Sequence, residues 1–446
     1  MPQLLVGIDV GTSFAKAVVC DAGGEELAHA RVPTRWTRVP TGAEADAGAL
    51  ADAALLAAAR ALDAAPTGEV VAVGVAGMAE SGVLLDRTVE PVAPVIAWHD
   101  TRGADEAADL AKRLGAAMFA ARTGLPASAL CALAKLRWQR ANVPAAAQAR
   151  GWLGVPEWVA HRLGAPRVAE RSLASRTGAF SLADARWWPD ALAWLSVPDG
   201  FFAEPVTAGE PLGPATAGPA RLRGAQVTVA GHDHLAATVG ASATAEDDVL
   251  HESGTAEVFV RTAPTSLDPG RVVAAVEAGV TVGWHVAEGR QALLAGVWSG
   301  LALREVLDQL GADREELSAG VIATAPGDAP ALELELHSLD RPPVRLPDAE
   351  PVAVWRGAID TVTRDVQALI AHIDEVAGPH TKLVVTGGWA RDPAVFDAKR
   401  RLGAIEAPPV VEAGCRGAAL LAGMAAGLFA SADALPAVSA IEKEPA

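Results

Sequence analysis

Near the N-terminus, the segment GIDVGTSFAK gathers residue types that handle phosphate: Gly7, Asp9, Gly11, Thr12, Ser13 and Lys16. A dinucleotide-binding turn needs GxGxxG opening a helix, and a P-loop needs GxxxxGK and then Ser or Thr opening a helix. Neither pattern is present, and FAKAVVCDA, a run of strand type, follows instead. A hairpin turn of Gly-Thr-Ser can still direct backbone N–H groups and hydroxyls at phosphate oxygens, an anion nest made without a helix. Asp9, at the end of a buried strand, is placed to hold a hydrated Mg2+, an ion that prefers carboxylates and keeps several waters. The same residue types build ordinary hairpins with a capping Asp, so the motif alone leaves both readings open.

The elements that must position this turn read as strand, hairpin, strand, hairpin, strand: LLVGIDV, FAKAVVCDA and LAHARV, with Gly and Asp at the reversals. Apolar positions recur at helical spacing from Asp46 to Ala65, and VVAVGVAG is a buried-strand run. Helices are expected over Asp105–Ala121, Leu130–Ala141 and Pro156–Leu163. Later, DDVLHESGTAEVFVRTA repeats the opening theme, with Gly254 and Thr255 at its turn, and a helix over Val352–Ala377 feeds the strand KLVVTGG. The expectation is an α/β protein of two similar halves, residues 1–240 and 241–446.

Composition narrows the function classes. With 51% hydrophobic and 20% charged residues, the chain is that of a folded protein with room for two or three cores. Its 37 basic and 54 acidic residues give a net charge of −17, without the cationic footprint that nucleic acid or an anionic membrane surface requires. Three cysteines with no CxxC pair argue against a disulfide framework or structural zinc and fit a reducing cytoplasm. The opening MPQLLVGIDVG has neither the basic flank of a signal peptide nor the length of an anchor, and the Ala-rich stretches carry charges at short intervals.

Taken in order, these segments resemble the FGGY carbohydrate kinase family almost end to end. GIDVGTSFAKA resembles its first phosphate motif and HESGTAEVFV its second, while AGHDHLAATVGA resembles the segment of the catalytic aspartate, which falls on Asp233. VTGGWARDPAVF and EAGCRGAALLAG resemble the adenosine-side motifs. The resemblance implies two ribonuclease-H-like domains of the actin and heat-shock-chaperone kind, with ATP and Mg2+ bound in the cleft between them. It implies phosphoryl transfer to a hydroxyl of a small sugar, sugar acid or polyol, with Asp233 as general base. Nucleotide contacts would come from Gly11, Thr12, Ser13, Lys16, Gly254, Thr255, Gly387, Gly388 and Trp389, and the metal contact from Asp9. The sugar site would comprise Met78, Glu80, Trp98 and Asp100, with Arg102 nearby and His232 beside the base; a carboxylate accepts hydroxyl hydrogen bonds while an indole covers the carbon chain.

Some positions depart from the family pattern. Ala79 stands where a glycerol kinase has Arg, which disfavours glycerol, and the Met-His pair of xylulokinases is absent. Trp389 replaces a third glycine, and the segment 332–348 lacks the family's Gly-Glu-Arg signature. Pentuloses, hexuloses and sugar acids are the favoured acceptors, and monomer or homodimer stays open. A metal triad of His232, Asp233 and His234 is disfavoured, because alternate residues of a strand face opposite sides. Two other classes remain: a catalytically weak sugar and nucleotide sensor of the same fold, and an ATPase without a sugar.

Overall fold

The computed structural model describes residues 1–264, 267–324, 329–338 and 343–438. Of the segment 332–348, residues 339–342 lie outside the described residues. The first sheet is built from β1 (Gln3–Val10), β2 (Phe14–Asp21), β3 (Glu26–Pro33), β4 (Glu69–Gly77) and β5 (Gln226–His232), in the order β5-β4-β1-β2-β3. The second comprises β6 (Asp248–Ser253), β7 (Glu257–Pro264), β8 (Thr281–Trp284), β9 (Arg290–Val297), β10 (Lys382–Thr386) and β11 (Ala404–Glu406), in the order β8-β9-β7-β6-β10-β11. In both, an antiparallel meander starts from a central strand whose other side takes two parallel strands. The architecture is the twice-repeated ribonuclease-H-like α/β unit that the resemblance implies, with β8 added at one edge.

Local sequence explains the main helices. Asp46 caps α1 (Ala47–Ala64) by accepting from the Ala49 N–H at 2.8 Å, and the buried stripe Leu50, Ala54, Ala57, Ala61 lies on the first sheet. The single helix expected over Asp105–Ala121 is two, α2 (Ala104–Leu114) and α3 (Ala116–Thr123), because Gly115 takes a φ of 80° and breaks the chain between them. Next come α4 (Ala132–Asn142), α5 (Val155–Arg162), the short α6 (Arg171–Ser175), α7 (Asp233–Gly240), α8 (Ser299–Leu310), the long α9 (Pro351–Ala377) and α10 (Ala413–Ala425). Among the described residues, no helix is long and apolar enough to cross a membrane.

The C-terminal α10 returns to the first sheet and lies against β1, β4 and α7. Glycines permit this approach: a Cβ on Gly7 would overlap the Cys415 carbonyl, one on Gly74 that of Ala418, one on Gly240 that of Ala413, and one on Gly417 that of Ala236. Arg416 then fastens the junction, donating to the carbonyls of Gly24 at 2.8 Å, Gly240 at 2.7 Å and Pro436 at 3.2 Å.

A chain of buried polar groups supports the end of β5. Glu157, in the first turn of α5, accepts from the Gly154 N–H at 2.5 Å and the Glu170 N–H at 2.8 Å. Glu170 caps α6 and accepts the Ser172 hydroxyl at 2.5 Å, while that hydroxyl accepts the His232 N–H at 3.0 Å. Burial pushes Glu157 up to about 8 and Glu170 up to about 7.

Two predictions follow from this packing. Gly417→Ala forces a methyl group into rigid backbone and should cost about 3 kcal/mol or more, read as a lowered Tm. Gly388→Ala, with open space around the new carbon and an α-helical φ of −68°, should leave stability within about 0.5 kcal/mol of wild type, read as a Tm barely moved. The folded pKa values of Glu157 and Glu170 lie above the ordinary 4.5. Their contribution to stability is therefore full below that value and is lost as pH rises through about 7 to 8. The Tm of the ligand-free protein should fall across that interval, and Glu157→Gln should flatten the slope; an unchanged slope would mean that Glu157 does not titrate there.

Candidate active site

At the tip between β1 and β2, the Gly11 N–H donates to the Phe14 carbonyl at 3.0 Å and closes the turn. The Thr12 carbonyl accepts from the Thr34 hydroxyl at 2.5 Å and the Trp36 indole at 2.7 Å, and the Ser13 carbonyl accepts from the Thr34 N–H at 3.1 Å. With the carbonyls held from behind, the N–H groups of Thr12 and Ser13 meet no protein acceptor among the described residues. The turn is thus a set of backbone donors free to take an anion. Lys16 is paired: its ammonium donates to Glu412, just before α10, at 2.8 Å. Burial pulls Lys16 down, but the charges of Asp9 and Glu412 outweigh it and hold it above its ordinary value.

Asp9 is buried, and its Oδ1 has no hydrogen-bond partner. Burial, then the charge of Asp233, pushes it up to about 7. Glu412 and Glu252 add to this, so carboxyl groups from β1, α7, β6 and the entry to α10 share one field. An orphaned buried carboxylate oxygen amid several acids that Lys16 and His234 only partly compensate fits a hydrated Mg2+, a hard cation that takes oxygen ligands.

Asp233 is the first residue of α7, directly after β5, where Gly231 takes a φ of +86°. Its Oδ1 accepts from the His234 N–H at 2.8 Å and lies 3.2 Å from His232 Nε2. Burial raises its pKa, His234 opposes the rise and Glu252 adds to it. His234 Nδ1 contacts Glu252 at 2.6 Å. Burial lowers His234, but Asp233 and Glu252 outweigh burial and carry it up to about 10, whereas buried His232 is held well below its ordinary value. The expectation that these three residues diverge is corrected here: the strand ends at His232, the helix turn begins at Asp233, and their ligand atoms lie within 4.8 Å of one another.

The second hairpin repeats the first, with the Gly254 N–H donating to the Ala256 carbonyl at 3.0 Å. Beneath it, Glu257 accepts from Lys399 at 2.8 Å and lies 2.6 Å from His251 Nε2; all three side chains are buried. Nothing in the sequence signals this cluster, since Lys399 lies 142 residues from Glu257. Gly387 takes a φ of +94° against the Ser253 backbone, and Gly388 borders open space. Trp389 is turned inward: its indole is 6% exposed, between Trp355 and the Arg314 guanidinium in the second core. The extra bulk in the glycine run therefore fills protein interior.

Among the residues expected to meet the sugar, Met78 is buried, as is its neighbour Ala79, and Glu80 holds a φ of 59°, a strained conformation for a residue with a side chain. Arg176, which the sequence did not single out, donates to Glu80 at 2.6 Å and to Thr281 of β8 at 2.9 Å, joining the two halves. Trp98 donates to the Thr12 hydroxyl at 2.9 Å and stacks on Trp298 at 5.7 Å and 10°. Lys135 holds this loop from behind, donating to the Trp98 carbonyl at 2.8 Å, and burial lowers its pKa to about 8. Asp100, expected to face the sugar, does not. Its Oδ1 accepts from the Arg102 N–H and Nε, and its Oδ2 from Arg102 Nη2 and the Ala43 N–H, which saturates the carboxylate.

Residues 4–240 match the model of the FGGY family of carbohydrate kinases, N-terminal domain. A xylulose kinase of Streptomyces coelicolor is 29% identical over 476 residues, covering 99% of this chain and 94% of its own. A glycerol kinase of Aromatoleum aromaticum is 28% identical over 468 residues, covering 97% and 92%. The fold matches that of a ligand-bound xylulose kinase from Lactobacillus acidophilus with a TM-score of 0.85 at 18% identity, covering 96% of this chain and 91% of that one. With two similar hairpins at corresponding places in its two sheets and a family match over more than half its length, the chain belongs to the FGGY family of carbohydrate kinases, ATP-dependent phosphotransferases.

Proposed function

We propose that this kinase transfers the γ-phosphoryl group of ATP to a hydroxyl of a ketose, of pentulose or hexulose type, with Asp233 as the general base. The observation that carries the reading is Asp233 itself: a partly buried carboxyl of raised pKa at a strand end, sharing a field with Asp9 beside the first hairpin. A base of raised pKa accepts a hydroxyl proton more readily as the oxygen attacks phosphorus. The xylulose kinases among the relatives support a ketose, and Ala79 in place of the glycerol kinases' Arg speaks against glycerol.

In this reading the donors of Thr12 and Ser13 hold phosphate oxygens, and the hairpin at Gly254 and Thr255 holds them from the opposite half. The open face of Gly387 and Gly388 receives the adenosine side. Asp9, with Glu252 and Glu412 near, would hold Mg2+, which would neutralise phosphate charge. Glu80 accepts sugar hydroxyls while Trp98 covers the carbon chain. Asp233 takes the acceptor proton as the O–P bond forms and the bond to ADP breaks. The working division of the chain is residues 1–240 and 241–446, with α10 returning to the first unit. Because the two hairpins lie in different halves and the sugar contacts lie in the first, sugar occupancy favours the closed cleft that brings both hairpins to the triphosphate and excludes water that would otherwise take the phosphoryl group.

Asp233→Asn should lower kcat by roughly 10²–10⁴ with ATP binding near wild type; turnover within a few-fold of wild type would remove Asp233 from the role. ADP release measured across ketoses, sugar acids and polyols should rise well above the sugar-free rate with a ketose. A rate indifferent to every sugar would defeat the kinase reading.

A further inference from the structure

The geometry points to a second cation site at the head of α7, formed by His232, Asp233 and His234, that takes a borderline divalent transition metal such as Zn2+ and thereby blocks the kinase. Four observations converge on it. First, the ligand atoms of the three residues lie within 4.8 Å of one another. Second, the 3.2 Å between His232 Nε2 and Asp233 Oδ1 matches the edge of a tetrahedron, about 3.3 Å, around an ion with bonds of about 2.0–2.1 Å.

Third, His234 presents its Nδ1 to Glu252 at 2.6 Å, which leaves Nε2 available. A carboxylate holding the far nitrogen of an imidazole is the usual outer support of a metal-bound histidine. Fourth, His232 is 5% exposed and its Nδ1 is a buried nitrogen without a partner, so this ring is not committed to a hydrogen-bond network.

Ligand chemistry separates this site from the neighbouring one at Asp9. Two imidazoles and one carboxylate select Zn2+ or Co2+, whereas Mg2+ takes oxygen and keeps its waters. The ion adds positive charge beside Asp233, while His234 Nδ1 keeps its contact with Glu252. Three protein ligands leave a fourth position to water. Coordination draws charge from the Asp233 carboxylate, which weakens it as a base, and sets the ion where the acceptor hydroxyl would sit, so the ion competes with the sugar and not with MgATP. That kinetic consequence rests on Asp233 being the base; binding does not.

Zn2+ is titrated calorimetrically into the full-length protein in excess Mg2+, and Co2+ is followed by its visible d–d absorption. Expected are one Zn2+ site and an intense tetrahedral Co2+ spectrum in the wild-type protein. His232→Gln and His234→Gln should each weaken Zn2+ binding at least ~100-fold and Glu252→Gln ~10–100-fold, with circular dichroism confirming the fold. The three cysteines are buried and do not compete. A weak octahedral Co2+ spectrum, or a Zn2+ affinity that falls with Asp9→Asn and not with either histidine variant, overturns the site. Zn2+ binding there with inhibition that fails to compete with the sugar would refute the base assignment and keep the metal site.

Discussion

The backbone of α10 touches the backbones of β1, β4 and α7, and the cleft depends on that contact. Gly7, two residues before Asp9, meets Cys415, while Gly240 and Gly417 close the gap between α10 and the helix that Asp233 begins. Glu412, which holds Lys16, lies at the N-terminal boundary of α10. A Cβ at these crossings would overlap a facing carbonyl oxygen, so any side chain would force the elements apart. The relative positions of Asp233, the acidic cluster and the first hairpin turn are therefore set by main-chain contact, which has no rotamers and yields little.

Against this rigid frame the cleft is electrically unfinished. Asp9, Asp233, Glu252 and Glu412 crowd together with Lys16 and His234 as partial compensation, and burial adds to the mutual repulsion. Such an arrangement costs stability in the ligand-free protein and is relieved when cations arrive. The strained backbone at Glu80 and the orphaned oxygen of Asp9 belong to the same pattern, in which local rules give way where ligands bind.

Much of the fold was legible because its signals are local. The hairpin residues, the helical spacing that begins at Asp46 and the buried runs of β1 and β4 each announce themselves in short stretches of chain. What escaped depends on contacts remote in sequence: Arg176 reaches Glu80 across 96 residues, Trp298 meets Trp98, and Lys399 meets His251 across 148. The readings at Asp100 and at the histidine pair failed differently. Asp100 is consumed by Arg102, only two residues on, and strand alternation was extended one residue past the point where the chain becomes helical.

The stack of Trp98 on Trp298 places one indole from each half face to face at 5.7 Å. Chromophores so close share their excitation, and the resulting couplet in circular dichroism weakens steeply as they separate. The other close tryptophan pair, Trp355 and Trp389, lies within a single core and contributes a constant background. The molecule thus carries an intrinsic optical gauge of whether its halves are together, readable without any attached label.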